Sequence, residues 1–166
     1  MPAGKFYLRN SANDAWISIA QGAGAAGGSA TSFDTNFAAT LSAPQVITTG
    51  IKKVLFDTIT YDGNSEWDVA NLRWTCKETG YYNINTSVTL LTAYTSYCLV
   101  YIYLDGAAIR TGNTIIYEGT YAHPSSITAL NHYITAGQYV EIYVSQTGTS
   151  VRSESSLTWF NITRYK

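Results

Sequence analysis

Asp62, Asn64, Glu66 and Asp68 stand at every second position, a spacing that suggests a cation site in this 166-residue chain. Acidic and amide side chains at alternate positions open a calcium loop. The pattern then fails, because the sixth position is not glycine and Arg73 stands where a bidentate acid should close the site. A solvated turn is therefore expected. Cys76 and Cys98 lack the Cys-x-x-Cys spacing of zinc and redox sites. They would pair in an oxidising compartment; free, buried thiols are the expectation here. His123, before Pro124, and His132, in an expected strand, do not have the spacing of a metal pair. The sequence contains no Gly-x-Ser-x-Gly, Walker A or HExxH pattern. Asn85-Thr-Ser87 and Asn161-Ile-Thr163 fit glycosylation acceptors but fall within expected strands. No catalytic residue, metal or cofactor is expected, and the chain reads as a non-enzyme.

What the residues do support is sheet. Gly80 to Gly106 holds two runs rich in Tyr, Ile, Val and Thr, Tyr81–Leu91 and Tyr97–Leu104, separated by the polar break Thr92–Ser96. Tyr82, Ile84, Thr86 and Val88 share one face of the first run. In the second, Cys98, Val100, Ile102 and Leu104 alternate with Leu99, Tyr101 and Tyr103, so both faces are apolar or aromatic. A strand covering an isolated sandwich would show a polar face. This one is expected to bury both faces, in a core or against a partner chain. Further strands are expected at 36–41, 53–60, 67–76, 107–111, 115–117, 127–134, 139–145 and 157–165. Turns are expected at 61–65, 78–80, 105–106 and 135–137, and loops at 118–126 and 146–155. Short strands with regular turn signals, and no sustained helical period, predict an all-β sandwich or jelly roll.

The N-terminal part differs. Residues 5–9 (KFYLR) and 15–20 (AWISIA) flank a run of turn formers and predict a hairpin. Two strands alone are marginal in water. The hairpin must dock on something: its own domain or, as a separate arm, a neighbouring copy or a larger assembly. QGAGAAGGSATS follows, with no side chain large enough for a core, and reads as a flexible tether. Three regions result: an arm over 1–21, with Phe6, Leu8, Trp16 and Ile17 as candidate docking residues, a linker over 22–32, and a jelly-roll domain over 33–166.

Only 13% of residues are charged and 14% are aromatic, with 14 tyrosines. Solubility then rests on Ser, Thr, Asn and Gly, a habit of secreted, virion and β-rich surface proteins. The net charge of −1 and the lack of a basic run argue against nucleic acid as a partner. No apolar run approaches a membrane span, and the N-terminus lacks an apolar core of signal-peptide length.

The order of these features resembles the globular head of complement's first component, in the tumour necrosis factor-like jelly-roll superfamily. The resemblance is carried by Phe37-Ala-Ala39, Val54-Leu-Phe56-Asp57, Tyr61-Asp-Gly-Asn64 with Trp67-Asp68, and Trp74-Thr-Cys76. It continues through Gly80-Tyr81-Tyr82-Asn83-Ile84, Leu104-Asp105-Gly106, Thr135-Ala-Gly137-Gln138-Tyr139-Val140 and Ser155 to Phe160. The pattern departs at Gln138, where the family has Asp, and near Phe160 and Asn161, where it has Gly. The resemblance implies a ten-stranded jelly roll that forms a homotrimer, with strand faces packed around a threefold axis. Tyr101, Tyr103, Tyr143 and Trp159 are the trimer-contact residues expected on that basis. YLRNSANDAWISI also looks like segments near the start of tailed-phage virion proteins.

Together these features point to a virion protein assembled in the host cytoplasm. It would be a trimeric decoration or cement protein, or a head fibre, anchored by its arm to a capsid or fibre protein. A receptor- or glycan-binding fibre tip is the alternative. Tyr94, Tyr97, Tyr117 and Tyr121 would then offer aromatic faces to a host surface glycan. An extracellular carbohydrate-binding module is a second alternative.

Overall fold

The computed structural model describes residues 6–9, 16–19, 36–47, 50–91, 96–113, 115–117, 124–146 and 150–165. The chain divides into two compact units, Met1–Ser32 and Phe33–Lys166.

In the first unit, β1 (Phe6–Arg9) pairs antiparallel with β2 (Trp16–Ile19), setting Phe6 opposite Ile19, Leu8 opposite Ile17 and Arg9 opposite Trp16. This is the hairpin that two short β-branched and aromatic runs around turn formers predict. The tether at 22–32 lies outside the described residues.

The described strands of the second unit begin with β3 (Asn36–Thr40), β4 (Gln45–Val46), β5 (Gly50–Lys53), β6 (Thr58–Asp62), β7 (Trp67–Asp68) and β8 (Arg73–Thr75). They continue with β9 (Gly80–Leu91), β10 (Ser96–Leu104), β11 (Ala107–Thr111) and β12 (Ile115–Tyr117). The last four are β13 (Pro124–Ile134), β14 (Tyr139–Gln146), β15 (Ser150–Val151) and β16 (Trp159–Tyr165). They form two sheets. The first runs β11-β10-β14-β8-β7, with β12 also on β10 and β5 on β14. The second runs β4-β15-β9-β16-β3-β6, with β13 also on β9. The long strands β9 and β10 thus lie in different sheets, each central to its own. Every described pairing is antiparallel and no helix occurs among the described residues. An all-β jelly-roll sandwich is the result.

The core lies between the sheets and follows the alternation. Val100 and Ile102 of β10, Val140, Ile142 and Val144 of β14, and Tyr82, Ile84 and Val88 of β9 are buried. Phe37, Phe56 and Phe160 join as a cluster, with Phe160 5.4 Å from Phe37 and 5.7 Å from Phe56. Trp74 meets Tyr82 edge to face at 5.1 Å. Burying each such side chain is worth about 1.5–3 kcal/mol.

Several expected elements differ. The run 53–60 is not one strand. β5 pairs with β14 of the first sheet and β6 with β3 of the second, so the chain crosses the sandwich over Val54–Asp57. Val54 N binds Ile142 O at 2.8 Å on one side, and Asp57 N binds Thr40 O at 3.2 Å on the other. Val54 and Phe56 are buried in the crossing, which imitates strand alternation. The run 67–76 is a small hairpin, β7 against β8, whose turn holds Leu72 at φ 48°. β6 extends to Asp62, into the expected turn at 61–65. β13 starts at Pro124 rather than Ile127, and it carries a register shift between Ala129 and His132. The loop at 146–155 contains β15, whose Val151 is buried, and Gln146 belongs to β14.

Candidate assembly surfaces

The acidic row is an internal brace. Asp62 turns its carboxylate back to accept Glu66 N at 2.8 Å and Trp67 N at 3.0 Å. Asp68 accepts Asn71 N at 3.1 Å and meets Arg73 Nε at 3.2 Å. Glu66 is buried, which corrects the expectation of a solvated turn. Its Oε2 accepts from Trp74 Nε1 at 3.1 Å and its Oε1 from Lys77 N at 3.2 Å. Burial pushes this carboxyl above the ordinary range, against the pull of those hydrogen bonds. No three acidic, histidine or cysteine side chains converge among the described residues. Cys76 and Cys98 are buried and are not joined in a disulfide. Burial raises the Cys76 thiol, and its Sγ stands 3.2 Å from Glu78 O.

Two outer faces remain. On the first sheet, alternation turns Tyr101 and Tyr103 of β10 and Tyr139, Glu141 and Tyr143 of β14 outward, half-buried. Tyr103 and Tyr143 have ring centroids 4.3 Å apart, and Tyr101 lies 6.2 Å from Tyr103. Charges accompany these rings. Lys53 Nζ is 2.6 Å from Glu141 Oε1, Tyr143 Oη donates to Glu141 Oε2 at 3.1 Å, and the Arg73 guanidinium lies 4.0 Å from the Tyr139 ring centroid. The structure therefore brings Tyr101, Tyr103 and Tyr143 together. It places Trp159 elsewhere, on the second sheet.

The outer face of the second sheet is different in kind. Tyr133 of β13, Tyr81 of β9 and Tyr165 of β16 are register partners in one cross-strand row. Their exposures are 53, 54 and 41%, high for aromatic side chains. Asn83, Thr163 and Asn36 form the next row, then Asn85, Asn161, Ala38 and Tyr61, then Ser87, Trp159 and Thr40. No charged residue occurs in these four rows. Asn36, Ala38, Tyr61, Asn161 and Thr163, with Phe37, line a shallow depression of about 370 Å³. Asn83 Oδ1 is shielded from solvent and accepts no hydrogen bond.

Sequence reasoning did not single out Tyr81, Tyr133, Tyr165 or Tyr61. The available signal was alternation, since Tyr81 lies opposite in phase to the core residues Tyr82 and Ile84. Of the candidate ligand-contact residues, Tyr97 is half-buried with its Oη 3.0 Å from Ser145 Oγ. Tyr117 enters β12 opposite Ser96. Tyr94 and Tyr121 lie outside the described residues, as does His123.

No protein-family model and no curated protein matches the sequence. Solved structures do match the fold. The Eiger TNF of S. frugiperda is 9% identical with a TM-score of 0.61, covering 80% of this chain and 91% of its own. The globular domain of zebrafish complement 1qA is 15% identical with a TM-score of 0.59, covering 79% and 96%. Murine APRIL is 8% identical with a TM-score of 0.58, covering 78% and 98%. The chain thus has the tumour necrosis factor and complement type of jelly roll.

Proposed function

We propose that this chain is a non-enzymatic structural protein of a virion, a homotrimer of jelly rolls anchored to a capsid or fibre by its N-terminal hairpin. The observation that carries the trimer is the uncharged, tyrosine-bearing outer face of the second sheet. Interface cores lose charge and gain Tyr and Trp relative to other surface. The likeness to complement and tumour necrosis factor domains agrees with the threefold assembly that the sequence resemblance implies.

Geometry supports a choice of which face turns to the axis. In a closed ring of three, the directions from one copy to its two neighbours subtend about 60°. The outer faces of a sandwich point in opposite directions, so they do not line one threefold axis together. The first sheet carries the Lys53–Glu141 and Arg73–Asp68 pairs, whose desolvation is costly. The second sheet carries no charge in its four rows. Of the four expected contact residues, Trp159 therefore faces the axis, and Tyr101, Tyr103 and Tyr143 face away.

The attachment role rests on the hairpin, a separate compact unit whose two short strands need a partner. Three arms on one trimer turn weak docking into avid attachment. Removing residues 1–32 is expected to leave the trimer and abolish its attachment to particles. Truncated protein that still decorates particles would contradict the arm.

A further inference from the structure

With the second sheet on the axis, the outer face of the first sheet points away from the assembly, and its composition calls for a reason. Cross-strand aromatic pairing accounts for part of it. It does not account for four tyrosines, Tyr101, Tyr103, Tyr139 and Tyr143, on one face of two adjacent strands.

We infer that the Tyr101–Tyr103–Tyr143 cluster is a binding platform for neutral carbohydrate, a polymer of uncharged hexoses. Sugar rings combine C–H faces with a rim of hydroxyls, and tyrosine offers the matching combination of an apolar ring and a polar tip. The charge pattern selects the class. Lys53 is paired with Glu141 and Arg73 with Asp68, both within hydrogen-bonding distance. The two cations that touch the rings and Glu141 are thus neutralised by carboxylates, which leaves little net charge beside the cluster to attract an acidic or basic polymer. What remains is ring surface and the tyrosine hydroxyls, because Glu141 is already engaged by Lys53 and Tyr143. Tyr143 keeps its proton under all ordinary conditions, because burial and the Glu141 charge push it up to about 12.

Three outward copies per trimer come from the trimer reading, on which the avidity of the platform rests; the single platform does not depend on it. The test is affinity electrophoresis of the full chain in gels cast with dextran, soluble starch or galactomannan, with heparin as the acidic control. At least one neutral polymer is expected to retard the protein. Tyr103→Ala and Tyr101→Ala are each expected to weaken the apparent affinity about tenfold, the loss of about 1.4 kcal/mol. Tyr143→Phe, which keeps the ring, is expected to lose less. The mass by light scattering should be unchanged in all three variants. No retardation by any of the three neutral polymers, retention by heparin alone, or equal retardation of the alanine variants would overturn the inference. A drop in mass in those variants would overturn it too, by making the face a contact between copies. A monomeric wild-type protein that still binds would leave the platform standing and refute the trimer.

Discussion

Tyr81 and Tyr133 meet edge to face at 5.1 Å across the β9–β13 pair, yet each leaves about half its surface in solvent, 54 and 53%. Such a pair contributes about 0.5–1.5 kcal/mol beyond its buried area. Exposed as it is, it gives the isolated domain little. Under an interface it would be covered.

Tyr81→Lys is therefore expected to disperse the trimer without unfolding the domain, because a lysine there leaves water only at a cost of several kcal/mol. Size-exclusion chromatography with circular dichroism checks it. A variant that keeps both its mass and its spectrum would place the contact elsewhere.

Glu66 and Asp57 give opposite pH responses. Burial raises Glu66, so the folded chain holds that proton more firmly than the unfolded chain. Its destabilising share is present above the raised folded value and is relieved as the pH falls toward the ordinary 4.5. Asp57 is lowered. Burial pulls it up, but bonds from Ser42 Oγ at 2.6 Å, Ser42 N at 2.7 Å and Thr58 Oγ1 at 3.2 Å outweigh that. Its stabilising share is present above the ordinary 3.8 and is lost as the pH falls through the lowered folded value. Guanidinium midpoints against pH should show a flatter profile just above 4.5 for Glu66→Gln, and a less steep acid limb for Asp57→Ala. Profiles parallel to wild type would contradict both assignments.

Removing the Glu66 carboxylate altogether is a separate matter. Glu66→Ala leaves Trp74 Nε1 and Lys77 N buried or half-buried without their acceptor. The expected cost is about 2–4 kcal/mol. An unchanged denaturation midpoint would show that water replaces the carboxylate at no cost.

The β10–β11 turn is set by backbone conformation. Leu104 pairs with Ala107 around Asp105 at φ 49° and Gly106 at φ 78°, the two positive values of a type I′ turn. A Cβ at Gly106 would lie 3.5 Å from Tyr139 Oη, an ordinary contact. The cost of substitution is thus conformational. Gly106→Ala should lose about 1 kcal/mol, and Gly106→Asn less, because Asn tolerates this region. Equal midpoints for the glycine and alanine proteins would refute the turn type.

Much of the sandwich was legible, because β10, most of β14, the first half of β9 and the start of β16 alternate between core and surface. The misread places share a cause. Alternation shows which side chains go inward without showing which sheet carries them, so Val54 and Phe56 in the crossing look like strand residues. A polar sequence conceals β15, where only Val151 reaches the core. Glu66 was misread because its partner, the Trp74 indole, comes from the far strand of a hairpin that spacing alone does not reveal. The assembly face was hidden for a related reason. Tyr81, Tyr133 and Tyr165 lie far apart in sequence, and only strand register sets them in one row.

The mass of the full chain in solution tests the central claim most directly. Light scattering should give three times the 18.2 kDa chain mass, and Tyr81→Lys should reduce it to the single-chain value. A wild-type protein at 18.2 kDa would contradict the trimer and leave the uncharged face of the second sheet without its proposed partner.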